Sequence, residues 1–264
     1  MHMNAVKRPS SCEPLLPKPD DIKSIALLLD VDGTILDTAI TPESVEVPGS
    51  LRSSLKELHA KTDGALALVS GRLIHNLDDL FAPLRLPAIG GHGAEMRLSV
   101  DDPARPRHAS AIGGALRKLV AAAAARDPGI ILEDKGSSLA VHYRLAPQRE
   151  ATLKTEIAAI VAHLAARDLE VLHGKFVVEI KSINFSKGEA VHELMKNPPF
   201  AHRVPVFVGD DTTDESVFKM LPMLGGIGYS VERFIAGANG TFESPREVRR
   251  WLARLCGRDG NNAP

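Results

Sequence analysis

Two aspartates, Asp30 and Asp32, flank Val31 at the end of the apolar run Ile25 to Leu29. A carboxylate leaving a strand buried on both faces is costly to desolvate unless paired, and two within a few ångströms repel each other, so a cation is expected between them. Three further stretches supply groups that suit such a cation and an anion beside it. Ser70, Gly71 and Arg72 follow the apolar run Ala65 to Val69, and Gly209, Asp210, Asp211, Thr212, Thr213 and Asp214 follow Val204 to Val208. Lys187 and Gly188 open a segment with helical spacing. A ligand set made only of oxygens, with no His or Cys cluster, suits a hard ion such as Mg2+, which takes few carboxylates and keeps several waters. With Asp30 and Asp210 neutralised in this way, Ser70 and Lys187 leave room for an anion such as phosphate. A carboxylate can act as nucleophile in phosphoryl transfer by forming an aspartyl-phosphate. Asp32, reoriented by a turn at Gly33, could then serve as general acid and base.

These groups can meet only if the elements that carry them end on one rim. Short apolar runs (Ala26 to Leu29, Ala65 to Val69, Ala88 to Ile89, Val204 to Val208) alternate with helical spacing such as Leu51, Leu55, Leu58 and Ile74, Leu77, Leu80. That alternation predicts a parallel sheet with helices on both faces. In such sheets the ligand crevice lies beyond the carboxyl ends of the strands, where all four motifs fall. The middle of the chain follows a different pattern. An Ala-rich helix precedes the runs Gly129 to Glu133 and Ser138 to Tyr143; a second helix, with Ile157, Ile160, Val161 and Leu164, precedes Leu169 to Leu172 and Phe176 to Ile180. Helix, two strands, helix, two strands describes a small sheet with helices on one face. The expectation is therefore an α/β fold: a Rossmann-like parallel core over 22–106 and 183–264, an inserted α+β module over 107–182, and a mobile tail over 1–21.

Composition narrows the function classes. Of the 264 residues 44% are apolar and 25% charged, ordinary for a globular protein. No apolar run approaches the roughly 20 residues of a membrane span. The net charge of −1 advertises no nucleic-acid partner. The first 21 residues lack a continuous apolar stretch, so no secretory signal is expected, and the expected compartment is the cytoplasm. Cys12 and Cys256, near opposite ends, suit free thiols there. Nothing in such a site demands more than a monomer.

With "DVDGT" at Asp30 to Thr34, Ser70, Lys187 and "GDDTTDE" at Gly209 to Glu215, the chain resembles the haloacid dehalogenase superfamily of phosphohydrolases. The insertion between Ser70 and Lys187 resembles that family's C2-type cap. The resemblance implies that Asp30 is the nucleophile and Asp32 the acid/base, with Asp32 also ligating Mg2+ through its backbone carbonyl. It implies that Asp210 completes the metal site with help from Asp211 or Asp214, Asp211 being the first choice, and that Ser70, Gly71 and Lys187 bind the phosphoryl group. "VSGR", "GGHGAEMR", "LEDKGSSLAVHYR", "HGKFVVEI" and "FSKGEAV" together resemble the trehalose-6-phosphate phosphatases. By that closer resemblance Glu133, Lys135, Lys175 and Glu179 would hold sugar hydroxyls. Arg72 would either orient substrate or pair with a carboxylate such as Glu95. Whether His92, His142 and Arg144 touch substrate stays open, and so does another sugar phosphate, of the sucrose 6-phosphate or mannosylglycerate phosphate type, as the substrate.

Overall fold

The structure is a computed structural model that describes residues 17–38, 45–107, 112–164, 168–174, 176–183 and 185–258. Its larger sheet contains β1 (Ile25–Leu29), β2 (Leu66–Val69), β3 (Ala88–Gly90), β4 (Glu95–Arg97), β5 (Arg105–Pro106), β10 (Val204–Gly209), β11 (Ile227–Val231) and β12 (Gly240–Phe242), in the order β12-β11-β10-β1-β2-β3-β4-β5. Every pairing from β12 to β3 is parallel; β4 and β5 extend that edge antiparallel. The sheet is an α/β core of mixed, mainly parallel strands.

The apolar runs are continuous because both faces are covered. Side chains alternate along a strand, so Leu27 and Leu29 of β1 join one cluster with Leu66, Leu68, Val206 and Val208. On that face lie α1 (Gly49–Lys61), α2 (Ile74–Phe81) and α7 (Pro245–Leu255), through Leu51, Leu55, Leu58, Ile74, Leu77, Phe81, Val248, Trp251 and Leu252. Ala26 and Leu28 point the other way, with Ala67, Val69 and Phe207, onto α5 (Lys187–Leu194) and α6 (Glu215–Met220) through Ala190, Val191, Leu194, Val217 and Phe218. β1 sits where the strand order reverses, with β10 on one side and β2 on the other, and such a switch point opens a crevice at the strands' carboxyl ends.

A second, wholly antiparallel sheet has the order β6-β7-β9-β8, from β6 (Ile131–Asp134), β7 (Ser138–His142), β8 (Leu169–Gly174) and β9 (Val177–Ser182). Leu139, Val141, Val178 and Ile180 pack with Leu116, Val120 and Ala124 of α3 (Gly114–Ala124) and with Leu153 and Ile157 of α4 (Glu150–His163). Alternation then sends Glu133, Ser138, Ala140, His142 and Glu179 to the opposite face. This polar face is turned to the rim of the larger sheet.

Two details differ from the expected organisation. Pro17 is buried and Pro19–Asp21 form a 3-10 turn, so the described end of the expected tail has defined structure, although Lys18, Asp20 and Asp21 are exposed. Residues 1–16 lie outside the described residues. The strands β4, β5, β11 and β12 have no counterpart among the expected elements. Among the described residues no helix is long and apolar enough to cross a membrane, and Cys256 is a buried free thiol.

Candidate active site

Adjacent strands β10, β1 and β2 deliver Asp210, Asp30 and Ser70 to one rim, and the first turn of α5 brings Lys187 to meet them. Lys187, only 3% exposed, donates to Asp30 Oδ1 at 2.8 Å and to Asp214 Oδ1 at 2.7 Å. Thr34, fully buried, bridges the two strand-end carboxylates, with its hydroxyl 3.0 Å from both Asp30 Oδ2 and Asp210 Oδ1. The turn between Asp30 and Thr34 needs glycine at position 33. Its φ is +81°, and a Cβ there would fall 2.2 Å from Asp210 Oδ2.

The charge balance of this cluster is strained. Burial pushes the Asp30 carboxyl well above its ordinary value, and Asp214 and Asp210 add to the shift against the opposing Lys187. Burial, with Asp214 beside it, likewise raises Asp210 to about 6. For Lys187 burial works to lower the pKa, but Asp214 and Asp30 outweigh it and hold the ammonium charged above its usual range. One lysine thus serves three carboxylates. Oxygens of Asp30, Asp210 and Asp214 lie within 4.8 Å of one another, the only such acidic or imidazole cluster among the described residues. A compact, all-oxygen, electron-rich set with excess negative charge fits a hard divalent cation.

Asp211 or Asp214 is expected beside Asp210, with Asp211 the first choice; Asp214 is the one that lies within the cluster. Asp211 stands outside the three-carboxylate cluster; its Oδ1 accepts the Thr212 N–H at 2.6 Å, capping the short turn Thr212–Asp214. Asp214 is fully buried inside the cluster, but its oxygens are engaged: Oδ1 by Lys187, Oδ2 by the N–H groups of Asp210 and Asp211 at 3.0 Å each. It orients Lys187 and the Asp210 loop, which leaves Asp30 and Asp210 as the carboxylates with lone pairs to offer. The reciprocal cap decides between the two acids, because a box of this kind turns the fourth residue inward.

Asp32 is held apart from that cluster. Arg72 grips it with two parallel bonds, Nε to Oδ2 and Nη2 to Oδ1, both 2.7 Å. Of the two alternatives for Arg72 the structure shows pairing with a carboxylate, but the partner is Asp32 and not Glu95, whose Oε1 accepts the Ile74 N–H. The Arg72 N–H bonds Ser70 Oγ at 3.1 Å, so the hydroxyl, the Gly71 peptide and the guanidinium form one rigid corner.

A cavity of about 650 Å3 opens above these groups, lined on the core side by Asp30, Asp32, Ser70, Gly71, Arg72, His92 and Lys187. Its roof is the polar face of the antiparallel sheet. There Glu133 meets His142 Nε2 at 3.0 Å and Ala140 leaves a gap between Glu133 and Glu179, its neighbours in register. Arg144 lies over the Phe176 ring, 5.1 Å from its centroid, and both border the cavity. Lys135 reaches Glu179 at 3.3 Å and the Gly71 carbonyl at 3.2 Å. Glu179 also accepts from Ser138 Oγ at 2.7 Å and meets His92 Nε2 at 2.8 Å. Burial works to raise the Glu179 pKa, but His92, Lys135 and the Ser138 hydroxyl overcome it and hold the carboxyl well below the usual range. Lys175 lies outside the described residues. Thr34, Ser138 and Phe176 are among the site residues with no role assigned from the sequence; Thr34 was visible only as the last letter of the aspartate motif, Ser138 only as the start of an apolar run, and Phe176 only as an apolar residue at a hairpin.

The comparisons with known proteins point to one family. A family model described as trehalose-phosphatase matches residues 28–244. A probable trehalose-phosphate phosphatase of Sinorhizobium fredii (strain NBRC 101917 / NGR234) is 43% identical over 241 residues, covering 89% of each chain. The trehalose-6-phosphate phosphatase of Escherichia coli (strain K12) is 38% identical, with 92% of this chain and 91% of that protein covered. Among solved structures, the C-terminal domain of the C. albicans trehalose-6-phosphate phosphatase has the same fold, with a TM-score of 0.78 at 21% identity over 91% of this chain and 94% of that one.

Proposed function

Because the chain belongs to the trehalose-phosphatase family, and is a phosphatase, we propose that it hydrolyses trehalose 6-phosphate to trehalose and phosphate through an aspartyl-phosphate on Asp30. The observation that carries this is the two-ended cavity, with carboxylates and a buried lysine at its floor and paired acids and bases at its roof. A phosphate monoester of a disaccharide needs both ends: cations and a nucleophile for the phosphoryl group, and mixed donors and acceptors for ring hydroxyls.

On this reading each step falls to one of the chain's own groups. Lys187 steadies the phosphoryl oxygens and opposes the burial that raises the Asp30 pKa, favouring the ionised carboxylate that attacks phosphorus. As the bond from phosphorus to the sugar oxygen breaks, Asp32 gives a proton to the leaving alkoxide. In the second half Asp32 takes a proton from water; the water oxygen bonds to phosphorus, the bond to Asp30 breaks, and inorganic phosphate leaves. Arg72 must release Asp32 for these transfers. A guanidinium fork that fits a carboxylate also fits phosphate, so arrival of the phosphoryl group offers Arg72 another partner. A divalent cation, Mg2+ by its fit to oxygen ligands, would be held by Asp30, Asp210 and the Asp32 carbonyl and would supply electrostatic stabilisation to the transferring group. The module over 107–182 serves as the lid, and the substrate is a soluble sugar phosphate met in the cytoplasm by a monomer.

Phosphate release from a panel of sugar phosphates tests the proposal. Trehalose 6-phosphate should give the highest kcat/KM, and preference for sucrose 6-phosphate or for a mannosylglycerate phosphate would overturn the assignment. Transfer of the phosphoryl group within the sugar without free phosphate would mark a mutase instead.

A further inference from the structure

The turn Gly91–Gly93 after β3 contains one residue that the hydrolytic steps do not use and the fold does not favour. His92 has φ +56°, between glycines at +55° and +102°. A side-chain-bearing residue in the left-handed region carries strain, least for Asn, Asp and His. His92 is also only 7% exposed, and its buried Nδ1 has no hydrogen-bond partner among the described residues, a further unfavourable term. What the residue gains lies at the other nitrogen. Nε2 is 2.8 Å from Glu179 Oε2, and a carboxylate can only accept, so Nε2 carries the proton. The ring lies on Gly71, where a Cβ would come within 2.4 Å of it. His92 is therefore wedged between the phosphate-side corner of the core and the carboxylate at the centre of the roof.

We propose that His92 is a positioning residue for the sugar-binding end of the cavity, fixing the Glu179 carboxylate over the Ser70–Arg72 corner and so coupling closure of the inserted sheet to the core. Glu179 is fastened from both sides. Oε1 takes Ser138 and Lys135 from its own sheet, whereas Oε2 takes His92 from the core. Lys135 makes the reciprocal crossing to the Gly71 carbonyl. Without the imidazole, Glu179 keeps its contacts within the sheet but loses its direct bond to the core, and a disaccharide phosphate would meet a roof free to vary in height above Asp30. A small aryl phosphate, which needs only the floor, would not register the change. The role in turnover rests on the proposed substrate; the role in closure does not.

Two substitutions separate positioning from folding. Asn accepts the left-handed backbone but places its amide near the Nδ1 position, short of Glu179, whereas Gln can put a donor near the Nε2 position. His92→Asn should lower kcat/KM for trehalose 6-phosphate by about tenfold or more, mainly through KM, while turnover of p-nitrophenyl phosphate stays within about twofold. His92→Gln should recover most of the loss. Equal losses on both substrates, no loss on either, or Gln no better than Asn would overturn the positioning role. Small-angle scattering keeps closure testable even if the wild-type enzyme releases no phosphate from trehalose 6-phosphate, a result that would sink the substrate proposal. The ligand-free His92→Asn protein should be more expanded than wild type, and superimposable profiles would overturn the coupling.

Discussion

The two ends of the cavity hold charge in opposite ways. At the floor, Asp30, Asp210 and Asp214 share a single lysine, and two of the three carboxyls are pushed up by burial. At the roof, Glu179 has His92, Lys135 and Ser138 around one carboxylate and is held down, while Glu133 has His142 and Lys135 and is also lowered against the effect of its burial. A floor short of positive charge is prepared to accept it from outside, as a cation. A roof whose charges are already matched is prepared to exchange partners with a neutral, hydroxyl-rich ligand at little electrostatic cost. The parallel core provides the first by converging strand ends; the antiparallel sheet provides the second by cross-strand pairing.

The contrast can be broken most severely at the floor. Asp30→Asn should abolish turnover of every phosphate ester while leaving the circular dichroism spectrum unchanged, because the replacement is nearly isosteric; near-normal kcat in that variant would remove Asp30 as nucleophile. Asp32→Asn should cost about 10²- to 10⁴-fold in kcat, the usual contribution of a general acid/base. That loss should shrink for p-nitrophenyl phosphate, whose leaving group needs little protonation, and equal losses on aryl and alkyl esters would count against the acid role. Lys135→Ala, at the roof, should reduce kcat/KM for trehalose 6-phosphate by about tenfold, or ~1.4 kcal/mol, and spare p-nitrophenyl phosphate. Lys187→Ala should impair both. Parallel behaviour of the two lysine variants would erase the distinction between floor and roof.

The smallest expected effect is on stability. Asp210, raised from 3.8 to about 6, adds stability that is present in full below the lower value and is lost as pH rises through the upper one. Protons and a divalent cation compete for the same oxygens. The rise in Tm on adding Mg2+ should therefore be larger at pH 7.5 than at pH 5, and an Mg2+-induced shift independent of pH would place the ion elsewhere.

The floor was legible because a strand buried on both faces appears as an unbroken apolar run, so the polar residues that follow it mark the sheet's rim. Asp30, Ser70 and Asp210 are all of this kind. Lys187 was legible for a related reason, since Ser186 caps the helix it opens. The choice between Asp211 and Asp214 was not legible, because both are acids on one short turn and the reciprocal cap that separates them is a matter of backbone geometry. Nor was Arg72's partner, since a long side chain can reach several carboxylates and Glu95 differs from Asp32 only in where β4 and the β1 turn place them. The partners of Glu179 were hidden for the same reason. Alternation assigns it to the polar face, but only the meeting of two sheets supplies His92. The strands β4, β5, β11 and β12 escaped detection because each is interrupted by charged, polar, Gly or Pro residues and so lacks the unbroken apolar run that marks β1 and β2.

Thr34 and Asp210, bonded to each other, are 176 positions apart in the chain, and Asp30 and Lys187 are 157 apart. Pairings of such long range close late in folding. During synthesis the first strand emerges with its aspartates, yet its neighbour β10 is among the last elements to leave the ribosome. The intervening sheet can complete its own core in the meantime, because its elements are contiguous. A nascent or truncated chain ending before Lys187 thus carries Asp30 without its lysine partner and without Asp210. The floor of the cavity is complete only once the C-terminal third has been made, so on the proposed mechanism an incomplete product of translation is inert toward phosphate esters rather than an unregulated fragment.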